Sequence, residues 1–406
     1  MHSHAVDDHV LYTCQRAAAQ ASHAVAAHAC VPLAMIPAKG KAVCGASVAK
    51  CRQRGLSRSM LCRAHAFTSR PRCQQRCGSA TASPLRKGSP LSGLEDFIHN
   101  AQRRLCTQFE ALDGSGASFG VDAWQRDGGA AGSGCTRVLA DGLVFEKAAV
   151  NVSVLRGTLT RERASAMSQR GRPGVDPAGG QGYEAVALSL VFHSARPALP
   201  TFRADIRAFA VDDTEPFYGG GADLTPSYVH EDDAVSWHTH WADVCDAHQA
   251  PQQPPRALYK LYKRACDSYF YLPVRKEHRG IGGLFFDDVK AKTSASTEIA
   301  PVCGERFTMA VCDNWVHAYA PIIERRRKTP FTEAQRTWQL QCRGRYLEFN
   351  LLYDRGVRFG LDAGRFESIM VSAPPLIRWD YNVTPEPASP EEDTLQVLRN
   401  PRDWVP

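Results

Sequence analysis

The sequence predicts an α+β fold: one large, mostly antiparallel β-sheet flanked by helices on both faces, in a single domain over residues 93–406. Three observations carry that expectation. β-like runs gather toward both ends of the body, with helical patterns between them and no βαβ rhythm. Short turn signals such as Ala140-Asp141-Gly142 join neighbouring runs into hairpins. Finally, 406 residues at 44% hydrophobic and 22% charged are ordinary globular composition, with enough apolar volume for a large core.

The body opens on an amphipathic helix. Phe97, Ala101, Leu105, Phe109 and Leu112 recur at helical spacing until Asp113-Gly114 stops them. A Gly-rich loop over 127–134 precedes strands at Thr136–Leu139 and Leu143–Glu146, and Asn151–Leu155 reads as another. Residues 170–182, rich in Gly and Pro, read as a surface loop. Ala185–Phe192 and Thr201–Phe209 alternate as paired strands. Helices are expected over 231–247, 256–270, 306–327 and 332–341, and strands again at Tyr346–Tyr353 and Ser368–Ser372. No internal repeat is visible.

Charge divides the chain. The formal net charge is +7, yet between His9 and Leu94 there are 13 Lys or Arg and no Asp or Glu. Asp7 and Asp8 precede that window, so Glu95–Pro406 holds 36 basic and 40 acidic residues, a net of −4. The body is mildly acidic, which argues against a nucleic-acid partner. An acid-free, Arg-, Ala- and Ser-rich leader over 1–92 has the composition of an organellar transit peptide, with a basic tail as the alternative. The plastid is the expected destination and the mitochondrion the alternative. No run approaches 18 apolar residues, so no membrane span is expected. The 14 cysteines lie seven before residue 95 and seven after. None forms a CxxC pair in the leader, and scattered single cysteines read as small core hydrophobes.

Two glycine runs stand out. Gly219-Gly220-Gly221-Ala222-Asp223-Leu224-Thr225-Pro226 suggests a loop at a strand end presenting Asp223 to a ligand, or a tight turn with Asp223 as a helix cap. Arg279-Gly280-Ile281-Gly282-Gly283 leads into the apolar Leu284-Phe285-Phe286 without dinucleotide or P-loop spacing. Arg207, Arg275, Arg279, Arg343, Arg345, Arg355 and Arg365 lie in or beside strands and Gly-rich segments. Guanidinium forks bind carboxylates bidentately, so convergent arginines would suit a polycarboxylate ligand; structural ion pairs are the plain alternative. His193, His238 and His240 do not make a metal-ligand set, because residues two apart on a helix point away from each other.

Taken together, these segments resemble one family, oxygen-dependent coproporphyrinogen III oxidase. The resemblance runs from about residue 95 to the C-terminus. It is carried by Trp124-Gln125-Arg126, Val144-Phe145-Glu146-Lys147-Ala148, Gly219–Pro226, Glu231–Val235, Arg279–Asp288, Arg343–Gly356, Pro374–Trp379 and Asn400-Pro401-Arg402-Asp403-Trp404-Val405. It implies a homodimer and a tetrapyrrole tetracarboxylate substrate, which would account for the arginines. Two propionates become vinyl groups, with O₂ as co-substrate and no metal or organic cofactor. Asp223 matches the family's carboxylate beneath the pyrrole nitrogens, with an electrostatic role. Ser189, the stretch Asp205-Ile206-Arg207, Arg275, Arg279, and Gly364 with Arg365 fall on or near substrate-binding positions.

The departures are as informative. The family histidine assigned as proton donor is Arg203 here, and the family Asn two residues on is Asp205. Another family histidine, a proposed metal ligand in bacterial members, falls on Val274; only His193 and His238 remain of four such positions. An arginine cannot exchange protons near neutrality. Two expectations follow: a working but divergent oxidase relying on Asp223 and the arginines, or a non-catalytic paralogue that binds tetrapyrrole or forms dimers.

Overall fold

The structure, a computed structural model, describes residues 88–405 apart from 173, 213, 293–298 and 364. The leader and Gly364 therefore lie outside the described residues. Packing begins ahead of the first helix: Leu91 is fully buried and the Ser89 hydroxyl donates to Glu184.

Helix α1 (Ser92–Asp113) buries the expected stripe, Leu94, Ile98, Ala101, Leu105 and Phe109, and ends at Gly114 in the left-handed region. Strands β1 (Gly120–Arg126), β2 (Gly132–Ala140) and β3 (Phe145–Thr158) follow, then α2 (Arg161–Gln169), β4 (Gly182–Ser194), β5 (Thr201–Val211) and β6 (Phe217–Thr225). After α3 (Glu231–Asp246), α4 (Ala257–Tyr269) and the short ribbon β7 (Tyr271–Leu272) and β8 (Glu277–His278), β9 (Gly282–Lys290) completes the sheet. Helices α5 (Gly304–Asp313), α6 (Trp315–Arg326), α7 (Glu333–Leu352), α8 (Arg355–Ala363), α9 (Phe366–Met370) and α10 (Pro390–Arg399) close the chain. The seven strands run β1-β2-β3-β4-β5-β6-β9, each pair antiparallel. This is the expected α+β sheet.

One face of the sheet packs on α1, α3, α5 and α6. Phe109, Phe145, Phe192 and Phe202 stack there with Trp237 and Tyr319, continuous with the main core. The other face meets α7 and the segment around α9 in a smaller cluster of Ala149, Val191 and Tyr346 with Val371. The sheet is a partition between a large apolar core and a thinner, more polar layer.

Several local expectations needed correction. The end of the run at 143–146 and the run at 151–155 are one strand, β3 from Phe145, whose pairing with β4 shifts register only at Glu146. Gly219–Thr225 is not a loop but β6, a strand buried along its whole length. Residues 306–327 form two helices, α5 and α6, parted at Asn314. Tyr346–Tyr353 is not a strand: α7 runs on to Leu352 from a capping box at Thr332 and Gln335. Ser368–Ser372 overlaps the one-turn helix α9. Short apolar runs fit either period; here capping and the tertiary partner decide.

Candidate active site

Strand pleat builds the site. Along β5 the even residues Phe202, Ala204, Ile206 and Ala208 enter the core, and the odd residues Arg203, Asp205 and Arg207 emerge half-buried on the other face. Register then sets Ser189 of β4 opposite Asp205, and Asp223 of β6 opposite Arg203. Ser189, Arg203, Asp205, Arg207 and Asp223 therefore share one face. Ile206 does not: its side chain is fully buried on the core face, so only its backbone is available on the site face.

Asp223 is held by Arg279. The guanidinium makes a two-pronged contact, Nη2 donating to Oδ1 at 2.6 Å and Nε to Oδ2 at 3.2 Å. Its Nη1 donates to Asn350 Oδ1 at 3.2 Å, and its carbon lies 3.8 Å from the centroid of the Phe270 ring. Side-chain exposure is 0% for Arg279 and 4% for Asp223. Burial pushes the Asp223 carboxyl up from its ordinary range, against the downward pull of Arg279. Gly280 explains the approach: a Cβ there would sit 1.9 Å from the Leu224 carbonyl oxygen. Only glycine lets the chain pass close enough to β6 to lay Arg279 on Asp223. The second glycine run thus serves backbone contact.

Asp354, just ahead of α8, completes this inner group. Its Oδ1 accepts from the backbone N–H of Gly356 at 2.8 Å and Val357 at 3.0 Å. Its Oδ2 faces Arg203 Nη2 at 3.6 Å and Arg279 Nη1 at 3.9 Å. One carboxylate therefore caps a helix and balances two arginines. Burial opposes charge on Arg203, but the Tyr346 hydroxyl, Asp354, Asp205 and Asp223 outweigh it and hold Arg203 above the ordinary arginine value. Two buried polar atoms beside this group, Tyr346 Oη and Asn350 Nδ2, have no hydrogen-bond partner among the described residues. Such donors suit a ligand.

Four residues along β5, roughly 13 Å at strand pitch, lies a second charged group. Asp287 of β9 faces Arg207 at 3.3 Å, Arg355 at 3.5 Å, Arg170 at 3.8 Å and Arg172 at 3.9 Å. Arg207 also pairs with Asp205, and Arg172 with Asp288. These cations hold the Asp287 carboxyl below its ordinary range despite its burial. Gly219 makes the arrangement possible: a Cβ there would meet Asp287 Oδ1 at 2.9 Å and Arg207 Nε at 3.0 Å.

Four of the expected arginines lie apart from both groups. Arg275, in the turn between β7 and β8, donates through Nε to Glu348 Oε2 at 2.8 Å and is exposed. Arg365, ahead of α9, pairs with Asp122 of edge strand β1 at 2.6 Å. That pair borders a cavity of about 350 Å³ whose walls include Asp122, Thr136, Ser368 and Val371. Arg343 and Arg345 belong to α7 and pair with Glu146 and Glu277. His193 Nε2 lies 3.0 Å from the Ser372 carbonyl, and His238 is stacked on Trp404 with its Nδ1 2.9 Å from the Tyr259 hydroxyl. Burial lowers the pKa of both imidazoles well below the ordinary value. Among the described residues no group of three or more His, Cys, Asp or Glu is arranged to hold a metal ion.

A profile of the coproporphyrinogen III oxidase family matches residues 93–404. The chain belongs to the coproporphyrinogen III oxidase family. Membership implies a role in coproporphyrinogen oxidation, and with it a tetrapyrrole substrate and a place in porphyrin synthesis. Against that background, Asp354, Asp287, Tyr346 and Asn350 are residues that sequence reasoning did not single out. A helical reading of 346–353 would have found three of them: Tyr346, Asn350 and Asp354 are spaced i, i+4, i+8, one face of a helix and its immediate extension. No sequence signal marked Asp287, whose role depends on four arginines from three separate parts of the chain.

Proposed function

We propose that this protein is an oxygen-dependent coproporphyrinogen III oxidase that converts the ring A and ring B propionates to vinyl groups, giving protoporphyrinogen IX for heme and chlorophyll synthesis. Each propionate, R–CH₂–CH₂–COO⁻, loses CO₂ and a hydride equivalent to become R–CH=CH₂. O₂ takes up that hydride equivalent and a proton to give H₂O₂. The two electrons come from the propionate side chain, and the macrocycle ends at the porphyrinogen level at which it began. O₂ is the oxidant, so the step requires no metal or organic cofactor.

One observation carries this reading: a buried carboxylate and an arginine-rich rim lie on the same sheet face, separated along the strands. A tetrapyrrole tetracarboxylate has that shape in reverse, with N–H groups at the centre and carboxylates at the edge. Asp223, fixed by Arg279, would accept from the pyrrole N–H groups and favour positive charge as the ring is oxidised. Arg207 and its neighbours would hold the edge. Because Asp223 is nearly inaccessible, substrate must displace covering side chains to reach it. Arg203, locked as a cation against Asp354, orients charge and transfers no proton.

The full chain, given coproporphyrinogen III in air with chelator present, should yield protoporphyrinogen IX. Substrate binding without turnover would favour the second reading, a tetrapyrrole-binding paralogue, for which Arg203 at the proton-donor position is the specific support. The acid-free leader supports import into an organelle, the plastid before the mitochondrion, and the family resemblance supports a homodimer.

A further inference from the structure

The rim around Asp287 has more cation than it needs. Arg170, Arg172, Arg207 and Arg355 surround three carboxylates, Asp205, Asp287 and Asp288. The four arginines are not equivalent. Arg172 and Arg207 are each hydrogen-bonded to an aspartate of their own, and Arg172 also lies over the Phe209 and Phe217 rings at 5.8 and 5.0 Å. These two are each anchored by a carboxylate of their own, which leaves only their remaining donors for a ligand. Arg170 and Arg355 approach Asp287 Oδ2 only at 3.8 and 3.5 Å, with side chains 40% and 53% exposed. Neither guanidinium hydrogen-bonds a carboxylate among the described residues. Burial and repulsion from Arg172 lower the Arg170 pKa, with Arg355 adding to that repulsion, as in a site short of an anion.

We propose that Arg170, at the C-terminal end of α2, is a substrate-binding residue that forms, with Arg355, the receptor for a substrate carboxylate remote from Asp223. The proposal rests on the oxidase reading and deepens it. Both guanidinia converge on one oxygen of one aspartate from different elements, so their remaining N–H donors share a common region of solvent. A carboxylate entering there meets two forks and restores charge balance. Arg172 has the positioning role, because its pairing with Asp288 and contact with two aromatic rings tie the segment after α2 to the sheet.

The test uses the full chain and binding of coproporphyrin III, the stable oxidised form carrying the same four carboxylates, followed by its fluorescence. Arg170→Gln is expected to weaken binding about tenfold or more, the scale of one charge-assisted contact. Arg170→Lys should recover part of that loss, since a point charge remains but the fork does not. Wherever turnover is measurable, KM for coproporphyrinogen III should rise with a smaller change in kcat. The melting temperature should change little, because the present Arg170 contact is partly exposed and long. If Arg170→Gln binds coproporphyrin III as tightly as the unaltered protein, the proposal is wrong. If the unaltered protein does not bind it at all, the oxidase reading fails instead. A large drop in melting temperature with normal binding by the folded fraction would make Arg170 structural and overturn the assignment.

Discussion

Two charged groups share the polar face of the sheet and are built on opposite principles. Around Asp223, two carboxylates meet two arginines in a nearly dry environment, with both prongs of Arg279 engaged. Around Asp287, four arginines meet three carboxylates, and two of the four are well exposed. The inner group is balanced and fixed; the outer one is unbalanced and open. A fixed carboxylate in low dielectric keeps its orientation while charge develops nearby, which favours a transition state. Spare exposed guanidinia favour an anion already present in the ground state. On the proposed reading, the inner group would carry the chemistry and the outer one the capture of substrate.

The largest expected effect breaks the inner group. Asp223→Asn keeps the shape and removes the charge, so kcat should fall on the order of a hundredfold or more, with a smaller change in KM. Arg279 would then be buried without its counter-ion, and breaking such a pair typically costs about 3–5 kcal/mol. Melting temperature must therefore be read on the same variant. The loss assigned to chemistry is the kcat of the folded fraction. A destabilised Asp223→Asn with normal turnover would reduce the inner group to scaffolding. In the unaltered protein, kcat should fall on acidification, with a midpoint above the ordinary Asp value of about 3.9, because burial raises this carboxyl.

The outer group should respond in the other sense. Asp287→Asn removes the anion from among four arginines and should destabilise the fold by a few kcal/mol, as for other broken buried pairs. Its folded-state pKa is depressed, so its stabilisation is fully present above the unfolded pKa of about 3.9 and is lost as pH falls through the lower folded value. The stability gap between the two proteins should accordingly hold steady from pH 7 to about pH 4 and close only below it. A gap that closes near pH 6 would mean that the arginines do not depend on Asp287.

How much of this contrast was legible in the sequence depends on range. The alternation of β5 is local, so the separation of Arg203, Asp205 and Arg207 from Phe202, Ala204 and Ile206 follows from period two alone. The pairing of Asp223 with Arg279 spans 56 positions and depends on Gly280 lying against Leu224, which no local pattern encodes. The triple glycine is visible in the sequence, but its composition suggests a loop or a tight turn where the structure has a strand. Its function is to clear space within a central strand so that Arg207 and Asp287 can meet across Gly219. The second half of α7 is not legible, because apolar residues over 346–353 fit two periods, and Tyr346, Asn350 and Asp354 are hidden with it.

Arg203→His alters the second arginine of the inner group, the one that pairs with Asp354 at longer range, and should have a smaller effect. An arginine there stays charged throughout the working range, whereas histidine titrates between about pH 5 and 8. The variant should raise kcat severalfold near neutrality and add a pH-dependent limb to the rate profile. An unchanged rate and an unchanged profile would show that the family histidine's role does not transfer to this chain.

The smallest expected effect tests where the outer group ends. Arg275 matches a substrate-binding position by resemblance, yet it sits in the β7–β8 turn with its fork on Glu348. The Glu348 hydrogen bond raises its pKa, as for an arginine already satisfied by a carboxylate. Its side chain is 41% exposed. Ion pairs of that kind contribute about 0.2–1 kcal/mol, much of it screened by salt. Arg275→Ala should therefore lower the melting temperature slightly and leave KM within about twofold, since no substrate contact is removed. A tenfold rise in KM at unchanged stability would mean that Arg275 releases Glu348 to take a substrate carboxylate. The capture surface would then extend from Asp287 across α7, and exposure with spare donors would no longer distinguish binding arginines from structural ones.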